Sequence, residues 1–196
     1  IGTFHSLGVQ ILKEEAALVK RTPFFTIFDE EDSSSLIKSI IKEMQLSSDR
    51  FSPYAVIGQI SRIKNELLDT EEYADAGRYE QTIAAVYAKY NDALLKSNAF
   101  DFDDLIEKVV RIFQDHPTVL EKYQQRWQHV LVDEFQDVNT NQYMFVKLLA
   151  MKHRNLFVIG DDAQSIYAFR GSDFRNFLNF EKDWENATVI MLDENY

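Results

Sequence analysis

Two short apolar runs in the second half of the chain constrain its fold more than any other feature. Residues 130–132 run into Asp133 and Glu134, and residues 156–159 run into a second acidic cluster. Short β-branched runs bounded in this way are typical of buried parallel strands. The helix-length segment 141–152 lies between them. The pattern predicts a strand–helix–strand unit of an α/β fold, and because parallel strands end at the same edge, both acidic clusters should share one rim.

The residue types at this rim suit phosphoryl chemistry. Adjacent carboxylates at a strand end are costly unless a cation compensates them. Asp133 can hold Mg²⁺ directly or through water, since Mg²⁺ prefers oxygen ligands, and Glu134 can orient or deprotonate a water that attacks a phosphoryl group. On the next loop, Gln164 can sense a γ-phosphate by hydrogen bonding. Taken alone, an Asp-Glu pair after a strand is more often a solvated loop.

Aromatic residues and a cation follow the second acidic cluster. Tyr167, Phe169 and Arg170 lie within a few residues of each other. Aromatic rings beside a cation are what the stacking of unpaired bases and contact with phosphates require. The simpler interpretation of these three residues is two core side chains and a surface charge.

Two motifs together resemble a known family. Residues 133–137 (DEFQD) and 160–171 (GDDAQSIYAFRG) are similar to helicase motifs II and III of superfamily 1 DNA helicases of the UvrD/Rep/PcrA type. The resemblance implies an α/β fold, namely part of a RecA-like P-loop NTPase domain with a parallel sheet, interrupted by an all-helical insert. The expected divisions are a first motor segment at 1–17, the inserted helical subdomain at 18–98 and a second motor segment at 99–196.

Carried over residue by residue, the resemblance implies a site for ATP and Mg²⁺. Asp133 would bind Mg²⁺, Glu134 would activate the attacking water, and Gln164 would couple the γ-phosphate to the DNA site. Two polar residues after Glu134 would link the nucleotide to neighbouring loops, and a tyrosine at the end of the chain would pack near the adenine ring. The two polar residues are Gln136 and Asp137, and the tyrosine is Tyr196.

The resemblance also implies contacts with single-stranded and duplex DNA. Thr3 and His5 would touch the DNA backbone, although by themselves they indicate only a helix cap and a surface histidine. Tyr167 and Phe169 would stack on unpaired bases with support from Arg170, and Phe169 stands where close relatives often carry Trp. Four basic residues of the helical segment are candidates for duplex contact, or else solvated helix surface: Lys38, Arg50, Arg62 and Lys64.

Composition limits the alternatives. The net charge is −11 and the pI about 4.8, which argues against generic nucleic-acid binding, although a motor that holds single strands by stacking in a local groove can be acidic overall. The absence of cysteine excludes disulfides and thiolate metal sites. With no apolar run of membrane-spanning length and no signal peptide at the start of the chain, we expect a cytoplasmic monomer with no membrane contact.

The expected function is that of an ATP-dependent DNA helicase or translocase in repair or replication, moving 3′ to 5′ by family analogy. The chain contains no Gly-x-x-x-x-Gly-Lys-Ser/Thr phosphate loop, so we expect it to be a piece of a larger protein that is inactive by itself. Two alternatives remain open: a helicase–nuclease subunit of the RecB/AddA type, and an inactive helicase-like scaffold that binds DNA or a partner.

The remaining apolar patterns predict mostly helices. Tyrosines recur along the segment 78–96, where a core or interface role is favoured over a base-stacking platform. The predicted elements are a helix capped by Thr3 or Ser6, a loop at 21–32, a helix capped within 33–35, a helix from Pro53, a polar connector at 71–77, a helix at 78–96, a helix capped by Asp101, a short helix before the first apolar run, a helix capped by Ser172 and a strand at 188–192.

Overall fold

The computed structural model describes residues 1–161 and 180–191, and it consists mainly of helices with two small parallel sheets. The helices are α1 (Phe4–Glu14), α2 (Glu30–Glu43), α3 (Pro53–Asn65), α4 (Thr70–Asp75), α5 (Arg78–Lys96), α6 (Asp104–Asp115), α7 (Pro117–Arg126), α8 (Thr140–Ala150) and α9 (Phe180–Asp183). The strands are β1 (Thr26–Ile27), β2 (Ala99–Phe100), β3 (Val130–Val132) and β4 (Leu156–Val158). Short 3₁₀ turns span Ala16–Val19 and Phe135–Asp137.

The predicted strand–helix–strand unit is confirmed. β3 and β4 are parallel, with Val130 opposite Leu156 and Val132 opposite Val158, and α8 forms the crossover between them. Val132 and the α8 side chains Tyr143 and Val146 are buried in one cluster with Phe135. The apolar side of the two strands therefore packs against α8, as expected for a parallel α/β element.

A second parallel pair joins distant parts of the chain. β1 pairs with β2, placing Thr26 opposite Ala99 and Ile27 opposite Phe100. The chain leaves this pair after Ile27, forms α2 to α5, and returns to it at Ala99. These helices therefore begin and end at the same small sheet, and we call residues 28–98 the helical block.

The core is divided between the helical block and the rest of the chain. Inside the block, Ile37 of α2, Ile60 of α3 and Val86 of α5 belong to one buried cluster. The predicted core role of the tyrosines is confirmed at Tyr87 and Tyr90, which are buried on α5. A second cluster lies between α1, α6, α7 and α8, and its largest fully buried side chains are Phe100, Phe113 and Tyr123.

Local capping explains where several helices begin. The Thr3 hydroxyl accepts the Ser6 N–H at 3.2 Å and so caps α1. Ser52 caps α3, which has Pro53 in its first turn. Asn139 caps α8 in a reciprocal arrangement with Gln142, each side chain accepting the other residue's backbone N–H. A side-chain oxygen at this position satisfies an N–H that has no partner inside the helix.

Four sequence predictions were wrong in detail. The serines at 33–35 lie inside α2, because Asp29 caps that helix in a capping box with Asp32. The loop predicted at 21–32 contains β1 and the first residues of α2. The polar connector at 71–77 includes α4, which Asp69 caps.

The fourth wrong prediction is the final strand. Residues 188–191 pair with no strand in the described part of the chain, and Val189, Ile190 and Met191 are exposed. A strand needs a neighbour to satisfy its backbone hydrogen bonds, and the described residues supply none here.

Among residues 1–161 and 180–191, no helix combines the length and apolarity needed to cross a bilayer.

Candidate functional site

The carboxyl ends of β3 and β4 are held together beyond the strands themselves. The Ile159 N–H donates to the Val132 carbonyl at 2.9 Å, and the Phe135 N–H donates to the Ile159 carbonyl at 2.8 Å. The first bond continues the parallel pairing to Ile159, and the second joins the turn after β3 to the same residue. Asp133 and Glu134 lie in the exposed turn between them, so the shared rim predicted from the strand ends is present.

Glu134 occupies an unusual backbone conformation. Its φ of 51° and ψ of 42° place it in the left-handed region, which costs most side-chain-bearing residues roughly 1–3 kcal/mol. The turn is held by the Asp133 carboxylate, which accepts the Glu134 N–H at 3.0 Å. Such strain persists only where surrounding contacts fix it, and it concentrates at functional sites. The conformation turns the chain sharply from β3 into the Phe135–Asp137 turn.

Gln136 links the two strand ends. Its side chain is buried, with 1% exposure. Its amide donates to the Glu134 carboxylate at 2.7 Å, and its carbonyl oxygen accepts the Asp161 N–H at 3.1 Å. One buried amide therefore orients Glu134 and joins it to Asp161, beyond the end of β4.

Asp137 lies at the end of the same turn. Its Oδ1 atom is buried and has no hydrogen-bond partner in the described part of the chain. A buried carboxylate oxygen without a donor is costly. Asp137 is therefore available to accept a hydrogen bond from a group that approaches the turn.

The charge at the rim is not balanced by the described residues. Asp133 and Glu134 are both exposed, and neither pairs with a lysine, arginine or histidine among residues 1–161 and 180–191. In the same ranges, no group of three or more His, Cys, Asp or Glu side chains could form a metal site on its own. Mg²⁺ bound beside phosphates requires only one or two protein carboxylates, with water and phosphate oxygens as the other ligands. The donor set at the rim therefore fits Mg²⁺ with a phosphate-bearing ligand.

The Thr3 and His5 segment lies at the start of α1. Thr3 is exposed and its hydroxyl serves as the helix cap. The His5 ring meets the Phe102 ring edge-on, with 5.9 Å between centroids. Burial lowers the pKa of His5, and the charge of Asp103 opposes part of that shift. Phe4 between them packs against the buried clusters on both sides of α8, so this segment and the rim share a common core.

The structure excludes one of the four basic residues proposed for duplex contact. Lys38, Arg50 and Arg62 are exposed. The side chain of Lys64 is fully buried, and its ammonium lies 2.6 Å from the Asp101 carboxylate and 2.8 Å from the Asp104 carboxylate. Lys64 is therefore an internal counter-ion. Its enclosure depends on acids that are distant in sequence, so no local pattern distinguishes it from a surface lysine.

Several predicted site residues lie outside the described ranges. The structure therefore neither places them nor tests their roles. They are Gln164, Tyr167, Phe169, Arg170 and Tyr196.

Two hydrogen-bonded asparagines, one of them at the start of α8, were not predicted from the sequence as site residues. Asn139, the cap of α8, donates from its side chain to the Asn65 side-chain oxygen at 2.9 Å. The capping role of Asn139 has a sequence signal, since Gln follows three residues later. Asn65 has no such signal, because its partners are remote in the sequence.

Comparison with known proteins matches this chain to one family over nearly its full length. The UvrD/REP helicase N-terminal domain family matches residues 1–185. Similar curated proteins are named ATP-dependent DNA helicase PcrA. Those from Bacillus subtilis (strain 168), Staphylococcus aureus (strain Mu50 / ATCC 700699) and Leuconostoc citreum are 46%, 44% and 41% identical to the whole of this chain. The chain spans about a quarter of their length, 26–27%.

Proposed function

Because this chain belongs to the UvrD/REP helicase N-terminal domain family, we propose that it forms part of an ATP-dependent DNA helicase. The observation that carries the proposal is the rim at the ends of β3 and β4. There, two exposed carboxylates without described counter-ions lie beside a buried amide that orients one of them. Open α/β sheets bind ligands beyond the carboxyl ends of their strands, where this rim lies.

Glu134 is the proposed catalytic carboxylate. Its side chain projects from a strained turn, and the Gln136 amide fixes one of its oxygens at 2.7 Å. A carboxylate held in this way can orient a water for attack on the γ-phosphorus of ATP and accept its proton. Gln136 restrains the carboxylate in that position, because its other end is bound to the backbone after β4.

Asp133 is the proposed Mg²⁺ ligand. When bound, Mg²⁺ would neutralise charge on the phosphates of ATP. Asp133 also closes the turn, since its carboxylate accepts the Glu134 N–H. We further propose that Asp137 links this site to neighbouring loops. Gln164 and Tyr196 are proposed to contact the nucleotide.

We assign the DNA contacts to two groups of residues. Thr3 and His5 are proposed to meet the DNA backbone, and a neutral His5 would do so by hydrogen bonding, since burial lowers its pKa. Tyr167, Phe169 and Arg170 are proposed to hold unpaired bases by stacking. Movement along single-stranded DNA from 3′ to 5′, coupled to unwinding in repair or replication, is part of the proposal.

The division into a motor part and an insert is also proposed. Pairing of β1 with β2 supports Ala99 as the point of return. Phe25 packs on the cluster of α1 and α6, whereas Phe28 packs on the cluster of the helical block. This packing supports a start of the insert after Ile27, later than the boundary at residue 18 expected from the sequence.

ATP hydrolysis by the full-length protein that contains this chain, with and without single-stranded DNA, tests the proposal. We expect single-stranded DNA to increase the rate of turnover. We expect the chain by itself to be inactive, because its sequence has no Gly-x-x-x-x-Gly-Lys-Ser/Thr loop to hold the phosphates. A full-length protein whose turnover ignores DNA would contradict the helicase assignment.

A further inference from the structure

Asn65, the last residue of α3, forms side-chain hydrogen bonds with two other parts of the molecule. Its amide nitrogen donates to the Asp103 carboxylate at 3.0 Å and to the Ser61 hydroxyl at 3.1 Å. Its amide oxygen accepts from the Asn139 amide at 2.9 Å. One side chain of the helical block thus contacts both the loop before α6 and the start of α8.

The chemistry of the partners fixes the orientation of both amides. An ionised carboxylate can only accept, so the Asn65 nitrogen must face Asp103 and its oxygen must face Asn139. The Asn139 nitrogen is then the donor to Asn65, which leaves the Asn139 oxygen to accept the Gln142 N–H at 2.8 Å. Each of these hydrogen bonds then joins a donor to an acceptor, and this is the arrangement that the structure shows.

Two partners of Asn65, Asp103 and Asn139, lie next to parts of the proposed site. Asp103 follows Phe102, whose ring contacts His5, and the charge of Asp103 acts on the His5 imidazole. Asn139 begins α8 directly after the turn that carries Gln136, and Gln136 holds Glu134. Asn65 therefore lies between the segment assigned to DNA contact and the turn assigned to hydrolysis.

Lys64, which precedes Asn65, attaches this end of α3 to the start of α6. The Lys64 ammonium is buried between Asp101 and Asp104, at the start of α6. A shift of α6 or of the His5 segment would therefore be transmitted to the end of α3. From there it would reach α8 through the bond between Asn65 and Asn139.

We propose that Asn65 is a positioning residue through which DNA contact is coupled to the geometry of the Glu134 turn. The inference rests on the proposed function and deepens it, since it assigns the coupling to a residue that touches neither nucleotide nor DNA. Loss of the coupling should lower DNA-stimulated turnover and leave basal turnover and the KM for ATP in place. A residue that only supports the fold would instead lower stability and both rates together.

The test uses an exchange of donor and acceptor in the full-length protein. Asn65→Asp has nearly the same shape and still accepts from Asn139, but it sets two carboxylates against each other at residue 103. We expect DNA-stimulated kcat to fall about tenfold, a typical size for coupling between sites. The double variant Asn65→Asp with Asp103→Asn restores a donor–acceptor pair in reverse, and we expect it to recover most of the stimulation.

A second variant tests the other side of the contact without threatening the fold. Asn139→Asp keeps the oxygen that caps α8, since Asp is as good a cap as Asn, but it loses the donor to Asn65. We expect the same loss of stimulation. Ser61→Ala is the matched control, because it removes only the Asn65 bond that stays within α3, and stimulation should persist.

The outcomes separate this inference from the proposed function. Unchanged stimulation in Asn65→Asp and Asn139→Asp would overturn the inference while leaving the helicase assignment intact. Equal loss of basal and stimulated turnover, without recovery in the double variant, would also overturn it and indicate a structural role. A wild-type protein without DNA-stimulated turnover would instead refute the proposed function itself.

Discussion

At the junction between the helical block and α6, Asp101 and Asp104 lie buried on either side of the Lys64 ammonium, whereas at the ends of β3 and β4 Asp133 and Glu134 face solvent. Both regions are acidic and both follow a β-strand. The difference is that the first region contains its own counter-ion, and the second has none among the described residues. A cluster of acids whose charge is balanced internally stabilises the fold, and one left unbalanced at a strand end is open to an external cation.

The pKa values of Lys64 and Asp104 reflect this balance, whereas burial and the charge of Asp104 raise the pKa of Asp101. Burial alone would lower the pKa of Lys64, but Asp104 and Asp101 outweigh it and raise the pKa well above its ordinary value. Burial would raise the pKa of Asp104, but Lys64 and Lys108 hold it below the ordinary value. The Tyr90 hydroxyl completes the cluster by donating to Asp101 at 3.0 Å. All charged groups here have partners, as buried ions require.

Removing the internal counter-ion should produce the largest change in stability. Lys64→Met keeps the length of the side chain but leaves two buried carboxylates facing each other. Breaking a buried ion pair in this way costs about 3–5 kcal/mol, and the free energy of unfolding of the purified chain in urea should fall by that amount. Lys89→Ala is the control, because its pair with Glu43 is exposed and exposed ion pairs contribute little to stability. Equal effects of the two substitutions would contradict the role of Lys64 as an internal counter-ion.

Two asparagines at the start of α8 allow the same comparison between partnered and unpartnered groups, here for neutral side chains. Asn141 is fully buried and neither polar atom of its side chain has a partner in the described part of the chain. Asn141→Ala removes these unpartnered polar atoms and should raise the free energy of unfolding by about 1 kcal/mol. Asn139→Ala removes a partnered cap and should lower it by about 1 kcal/mol. Thermal unfolding of both variants measures the signs, and a loss of stability in Asn141→Ala would show that this side chain is satisfied in solution.

The smallest expected effect is the pH dependence due to His5. Burial lowers its pKa below the ordinary 6.5, so the folded state binds fewer protons than the unfolded state. Stability is then complete above the ordinary value and falls as the pH drops below it. His5→Gln should flatten the decrease between about pH 7 and pH 5. The matched control is His129→Gln at an exposed position, and an equal flattening there would contradict the assignment to His5.

The strand–helix–strand unit was predictable because short apolar runs that end in acid leave few alternatives to a buried parallel pair. The long helix α5 was predictable because its apolar residues recur at helical spacing over 19 residues. In contrast, β1 has two residues and carries no periodic signal, and the Asp69 cap of α4 lies in a short segment that is rich in acidic residues.

The candidate site was predictable only in part, for a related reason. Parallel strands end at one edge, so the position of Asp133 and Glu134 followed from the strands alone. The burial of Lys64 depends on a carboxylate 37 residues away, and the role of Asn65 on an amide 74 residues away. Such contacts arise from tertiary packing, and neither residue type nor local spacing indicates them.

We assign the exposed Glu134 carboxylate to chemistry and not to the fold, and Glu134→Gln tests this assignment. Gln can still accept the Gln136 amide through its carbonyl oxygen, so the free energy of unfolding should change by no more than about 0.5 kcal/mol. In the full-length protein, DNA-stimulated ATP turnover should fall about a hundredfold or more while a fluorescent ATP analogue still binds. Glu185→Gln, at another exposed position, should change neither. A Glu134→Gln protein that turns over ATP like wild type, or that loses stability as Lys64→Met does, would contradict the assignment of Glu134.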